Sequence, residues 1–247
     1  MALSLMEGNE AIARGAVAAG CRFFAGYPIT PATTILNHML AMLPPLGGVC
    51  IQGEDEIASI GFCLGASMAG IKVMTATSGP GISLYSEQIS FAIGGEIPIV
   101  IVDIQRLGPS TGSATRGADG DVQFLQWGNS GGLPVIVLAP VDVKDCYVLT
   151  MQAFNLAEQY RCPVFVAANK EVSMTRETID LDGLDLLVGV MPDVHVGLLL
   201  RRVERRRPFI MFLHPWEADT GTPRVQRLGL MGHVGTYGGI RGTLSKL

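Results

Sequence analysis

A strand-like run followed by a helix-like run, repeated along the chain, is the feature that most narrows what this sequence can become. Arg22–Ala25, Val49–Gln52, Lys72–Thr77, Pro98–Asp103, Pro134–Ala139 and Pro163–Ala168 are short and apolar. Pro98–Asp103 is almost wholly β-branched, as expected of a strand buried on both faces of a parallel sheet. Helical spacing fills the gaps. Glu7–Ala19 is stopped by Gly20; a second helix takes Thr30 as cap and Pro31 as first residue and runs to about Leu43, where Pro44-Pro45 ends it. A third follows Glu54-Asp55-Glu56, and Ile82–Ile93 and Val143–Gln159 give two more. This alternation predicts an α/β fold, a doubly wound parallel sheet. The pattern lapses after about Arg176. The expected organisation is therefore an α/β domain over residues 1–178 and a C-terminal extension over 179–247, with a basic stretch at Arg201–Arg207.

Composition supports a folded core. Hydrophobic residues make up 48% of the 247 and charged residues 16%, which excludes intrinsic disorder. The net charge of −4 gives no basic field, so nucleic acid is not an expected partner. Apolar runs such as Ile97–Val102 are too short to span a bilayer, and the N-terminal MALSLMEGNE is acidic; the expectation is a cytoplasmic protein without a membrane segment. Cys21, Cys50, Cys63, Cys146 and Cys162 are odd in number and lack C-x-x-C spacing. They read as apolar thiols, with no metal or iron–sulfur site built from this chain.

Open α/β sheets bind ligands beyond the carboxyl ends of their strands. Four unusual loops leave strands here: GYPITP, GEDE, TSGPG and QRLGPSTGSATRGADGD. In GEDE, Glu54 and Asp55 are either plain caps of a helix N-terminus or part of a site. Glu56 begins a helix rich in Ala and Gly, whose small residues admit a flat ligand, and its carboxylate can exchange a proton with a ring nitrogen. TSGPG lacks the P-loop lysine and reads best as a tight strand-to-helix turn. Arg106 is either paired with a loop acid such as Asp121 or placed for a carboxylate substrate. The residues alone leave both open.

GYPITPAT, GEDEIASIGFCLGASMAG, TATSGPGISLYSE, EIPIVIVDIQRLGPSTG and VIVLAP occur in this order and spacing. Together they resemble the α subunit of 2-oxoacid:ferredoxin oxidoreductases, most closely the 2-oxoglutarate type. The resemblance covers roughly Leu5 to Thr175. It implies the pyrimidine-binding half of a thiamine diphosphate fold and an oxidative decarboxylation. A 2-oxoacid loses CO₂, electrons pass one at a time to iron–sulfur clusters and ferredoxin, and coenzyme A takes the acyl group. It further implies a hetero-oligomer in which a β subunit carries the diphosphate site, Mg²⁺ and a 4Fe–4S cluster.

Carried over motif by motif, Glu56 becomes the catalytic carboxylate that hydrogen-bonds N1′ of the aminopyrimidine. Gly79 and Pro80 line the cofactor. Tyr27, Thr30, Arg106, Gly108, Ser110 and Thr111 face the substrate, with Arg106 against its carboxylate. The chain departs from the family in two places. Asn129-Ser130-Gly131-Gly132 stands where many relatives carry His-Gly-Glu or His-Gly-Asp, and Leu247 comes where relatives continue into a second α/β domain. The rival expectations are the pyrimidine half of a non-oxidative decarboxylase and a non-catalytic structural paralogue.

Overall fold

Parallel strands need crossover connections, and nearly every helix of this chain is one. The computed structural model describes residues 3–181 and 210–213. In chain order the elements are β1 (Leu3–Glu7), α1 (Gly8–Ala18), β2 (Phe23–Gly26), α2 (Thr33–Met42), a 3₁₀ turn (Pro44–Leu46), β3 (Val49–Gln52), α3 (Glu56–Met68) and β4 (Val73–Thr77). There follow α4 (Pro80–Leu84), α5 (Ser86–Gly94), β5 (Ile99–Gln105), α6 (Val122–Trp127), β6 (Val135–Leu138), α7 (Val143–Tyr160), β7 (Pro163–Asn169), α8 (Lys170–Met174), β8 (Arg176–Asp180) and β9 (Ile210–Leu213).

Seven strands form one sheet in the order β3-β2-β4-β5-β7-β6-β9. Every pairing in it is parallel. Side chains alternate across each strand and feed two cores. Val100, Val102 and Ile104 of β5 pack beneath α1, α2 and α7 with Ile12, Ile35 and Phe154. Ile99 and Ile101 pack on the opposite face with Ile60, Ile82 and Ile89 of α3, α4 and α5. From β2 the chain passes to β3 on one side and then returns to β4 on the other. The crevice outside the carboxyl ends of β2 and β4 is thus the switch point where such sheets bind ligands.

The six expected strands and the doubly wound parallel sheet stand, with differences at their connections. The second helix starts at Thr33, with Ala32 as its cap, and not at Thr30 and Pro31. The carbonyls of Thr30 and Pro31 are taken by the side chains of Arg106 and Asn9, so neither opens the helix. The expected single helix Ile82–Ile93 is two, broken at Tyr85. The Tyr85 phenol is buried at 2.9 Å from Thr75 Oγ1. The segment after Asp121, which the sequence pattern leaves unassigned, is the helix α6, with Leu125 as its buried residue. The ribbon of β1 and β8 was not expected; its antiparallel register sets Leu3 opposite Asp180. The basic stretch Arg201–Arg207 lies outside the described residues.

Two glycines separate packing from propensity. A Cβ at Gly15 of α1 would stand 2.5 Å from the Tyr147 carbonyl oxygen of α7, where only backbone could give way. At Gly61, on the outer side of α3, a Cβ would meet nothing within 4 Å. Gly15→Ala is therefore expected to lower the unfolding free energy by about 1–3 kcal/mol despite the better helix former. Gly61→Ala should raise it by about 0.5–1 kcal/mol. Denaturant midpoints of the two variants against wild type check both signs.

Candidate active site

Four loop segments meet at the switch point, and a buried arginine ties three of them together. Arg106 closes β5 and is only 3% exposed. Its Nη1 donates to the Thr30 carbonyl of the loop after β2 at 2.6 Å. That loop is held from the other side by Asn9 of α1, whose Nδ2 donates to the Pro31 carbonyl at 2.9 Å and to Thr34 Oγ1 at 2.8 Å. Asp121 closes the third contact. Its Oδ2 accepts from the Gly79 N–H of the loop after β4 at 3.2 Å, and its own N–H donates to Gln105 Oε1 at 3.3 Å. Arg106 acts on Asp121 electrostatically and through its backbone N–H. Of the two readings of Arg106 left open by the sequence, the structure shows the bracing one, with Asp121 among its partners. The side chain braces the loops, and its Nε, buried and without a hydrogen-bond partner, keeps capacity unspent.

Glu56 is the first residue of α3 and is 7% exposed. Capping falls to its neighbour: Asp55 Oδ1 accepts from the Ala58 N–H at 2.7 Å. The Glu56 carboxylate is therefore not the cap of its helix. It lies against the glycine-rich turn after β4, where a Cβ at Gly81 would stand 2.9 Å from Glu56 Oε1 and closer still to Thr77 Oγ1. The Ser78 side-chain oxygen in the same turn is buried and has no partner, while the buried Thr77 hydroxyl at the end of β4 lies beside the Tyr85 phenol. The chain thus gathers a carboxylate, two buried hydroxyls and close-packed glycine backbone in one place. Buried polar groups without partners are uncommon in folded proteins.

The remaining expected site residues differ in how closely they join this network. Tyr27 and Thr30 are exposed at the rim, and Gly108, Ser110 and Thr111 lie on the solvent side of the loop after β5. That loop folds on itself, with the Leu107 N–H donating to the Arg116 carbonyl at 2.8 Å. Gly79 lies within reach of Arg106, and Pro80 opens α4. Sequence reasoning missed Asn9, Thr77 and Asp103. Asp103 left a readable signal: an acid inside a run of apolar residues that is buried throughout. Among the described residues no group of three or more His, Cys, Asp or Glu side chains could hold a metal ion.

The chain as a whole resembles known proteins. Residues 14–196 match the family described as "Pyruvate flavodoxin/ferredoxin oxidoreductase, thiamine diP-bdg". The chain belongs to this family. The chain is 52% identical over 194 residues to the 2-oxoglutarate synthase subunit KorA of Methanocaldococcus jannaschii, covering 78% of this chain and 53% of that one. It is 43% identical over 179 residues to the ketoisovalerate oxidoreductase subunit VorB of Methanothermobacter thermautotrophicus, 72% of this chain and 51% of that one. A solved 2-oxoglutarate:ferredoxin oxidoreductase from Magnetococcus marinus, with 2-oxoglutarate, coenzyme A and succinyl-CoA bound, superposes with a TM-score of 0.70 at 46% identity. That match covers 72% of this chain and 31% of the other. The chain spans about half the length of the curated relatives it matches.

This cluster suits the pyrimidine of thiamine diphosphate in its polar groups: a buried carboxylate and hydroxyls can address ring and exocyclic nitrogens.

Gly79 tests the arrangement. Its φ of 48° and ψ of −112° suit glycine alone, and a Cβ there would stand 2.9 Å from Arg106 Nε. Gly79→Ala should cost roughly 1–3 kcal/mol of stability, as backbone strain of this kind does, and show it as a lowered melting temperature. An unchanged melting temperature would mean that the turn relaxes without disturbing Arg106.

Proposed function

We propose that this chain is the pyrimidine-binding α subunit, or part of it, of a thiamine-dependent 2-oxoacid:ferredoxin oxidoreductase, with 2-oxoglutarate as first substrate. The observation that carries the reading is Glu56. It is a buried carboxylate released from capping duty and set against a glycine turn beside the buried hydroxyls of Thr77 and Ser78. The names of the KorA relatives, as 2-oxoglutarate synthase subunits, and the 2-oxoglutarate-bound Magnetococcus marinus enzyme support the substrate.

When bound, thiamine diphosphate supplies a nucleophilic carbon and an electron sink for decarboxylation. This chain's residues do the rest of the pyrimidine-side work. Glu56 holds a proton at the ring nitrogen it faces, in a site that excludes most water. Gly79 and Pro80 shape the floor. Arg106 offers a planar, permanently charged fork to the substrate carboxylate, which lysine cannot copy. Thr30, Tyr27 and the Gly108, Ser110 and Thr111 loop form the substrate rim.

The reading includes a partner. The outer side of α3 exposes Ile57, Phe62 and Met68, and Leu84 and Phe91 of α4 and α5 are exposed too. A β subunit covering this face would bring the diphosphate site, Mg²⁺ and a 4Fe–4S cluster, with ferredoxin and coenzyme A as co-substrates. The module would comprise 1–178 and the extension 179–247, in a cytoplasmic setting. Among the described residues no helix is long and apolar enough to cross a membrane.

In the assembled enzyme, Glu56→Gln should lose roughly two to four orders of magnitude in oxoacid-dependent viologen reduction, the span of a positioned proton-transfer group. Near wild-type turnover would reduce Glu56 to a structural role. Arg106→Lys should lower kcat/KM about ten- to two-hundredfold, the equivalent of roughly 1.5–3 kcal/mol for a charged hydrogen bond, mostly through KM. Phe62→Asp should leave the chain folded by circular dichroism and abolish its co-purification with the β subunit. Retained assembly would place the interface elsewhere.

A further inference from the structure

Two successive carbonyls of the loop after β2 are taken by two different elements. Arg106 at the end of β5 binds the Thr30 carbonyl at 2.6 Å, and Asn9 of α1 binds that of Pro31 at 2.9 Å. Arg106 stands at the candidate site. Asn9 stands outside it, in the first turn of α1, and is fully buried.

Its surroundings make it a junction. The same Nδ2 donates to Thr34 Oγ1, in the first turn of α2, at 2.8 Å, and reaches Met174 Sδ at the end of α8 at 3.8 Å. One amide thus joins α1 to the loop, to α2 and to α8. The residue before it is seated just as firmly. The Gly8 N–H donates to the Thr175 carbonyl at 3.2 Å, and a Cβ on Gly8 would run into the Val172 carbonyl oxygen. β1 leads straight into this turn, and its last residue, Glu7, pairs with Arg176 of β8. Asn9 is therefore placed by the closure of the ribbon against α8, and it passes that placement to the loop.

The side chain suits this duty. A planar amide carries two N–H groups on one nitrogen and can satisfy a carbonyl and a hydroxyl together. Turned over, it would set its oxygen against the Pro31 carbonyl oxygen, so the hydrogen-bond network assigns the donor orientation. An ionised aspartate of equal shape could not donate at all. Asn9 Oδ1 is buried without a partner, so the amide is spent on donation alone.

The loop so held has an inner and an outer side. Ile29 packs on the core shared with α1, while Tyr27 and Thr30 are exposed. Fixing the backbone at Thr30 and Pro31 fixes how those two side chains are displayed.

We propose that Asn9 is a positioning residue: holding the Pro31 carbonyl while Arg106 holds that of Thr30, it fixes the Tyr27 and Thr30 rim relative to the Arg106 guanidinium and so sets how well a 2-oxoacid is bound. Without Asn9 the loop keeps one tether, and the Thr30 peptide can swing about the Arg106 contact. The inference rests on the proposed reading of Thr30 and Arg106 as substrate-facing groups. It adds a residue that never touches the substrate and reaches it through the backbone of the loop.

Two measurements test it, one on the chain and one on the assembled enzyme. In methyl NMR spectra of the full chain, Asn9→Ala should lower the order of the Ile29 and Thr30 methyl groups on the ps–ns timescale and leave Ile101 of β5 unchanged. In the assembled enzyme, Asn9→Ala should raise the KM for 2-oxoglutarate about ten- to a hundredfold while kcat stays within about threefold, the pattern of binding lost through misplacement. In a Thr30→Ala background most of that rise should vanish, because the two residues act through one loop. If Asn9→Ala does not fold, Thr34→Val serves instead. It removes one acceptor of the amide, keeps the Pro31 contact, and should raise KM about threefold, the worth of one modest hydrogen bond, with the same dependence on Thr30.

Unchanged methyl order, a loss confined to kcat, or a KM rise of equal size with and without the Thr30 side chain overturns the proposal. Loosened Ile29 and Thr30 methyls in the variant chain, together with a complex that turns over no 2-oxoacid, uphold the clamp and overturn the enzymatic reading instead.

Discussion

The placement of Arg106 governs the ligand-binding edge of this molecule. A guanidinium cannot shed its charge, so burying it demands partners, and the chain supplies them from loops distant in sequence. The Thr30 carbonyl comes from the loop after β2, and Asp121 from the far end of the loop after β5. Asp121 in turn fixes the turn after β4 through Gly79. Remove the charge and three loops lose their common anchor. The parallel sheet brings those loops to one edge; the arginine fixes their positions there.

The same edge explains how the chain divides its labour between interior and surface. Glu56 faces inward at the start of α3, while Ile57 and Phe62, one and six residues later, face outward. One helix therefore presents both a recess and an apolar exterior within two turns. On the proposed reading this makes assembly and chemistry inseparable, because the surface that recruits a partner is the back of the element that holds the proton-transfer group.

Much of this was legible in the sequence, for physical reasons that can be named. The alternation of apolar runs with helical spacing dictates a parallel sheet, and the motif loops follow its strands, so the site had to fall at their carboxyl ends. What stayed hidden was long-range. Nothing local says that Asn9 hydrogen-bonds the Pro31 carbonyl or that Arg106 takes that of Thr30, so Pro31 looked like a helix start. The run after Asp121 is too short to separate strand from helix by period. The β1–β8 ribbon joins segments more than 160 residues apart, and neither announces its partner. The Asp103 carboxyl was visible as an acid among β-branched residues; its lack of partners was not.

That ribbon has a topological meaning. With Leu3 opposite Asp180, the strand that leads into α1 and the strand that follows α8 lie side by side, and among the described residues only β9 joins the sheet from beyond them. A module whose ends meet can be joined to a neighbour at either end, or cut and reconnected, without rethreading its interior. The order in which such a module is strung together with others along a polypeptide is then free to vary, since the packed sheet sees the same closure whichever side the junction is made.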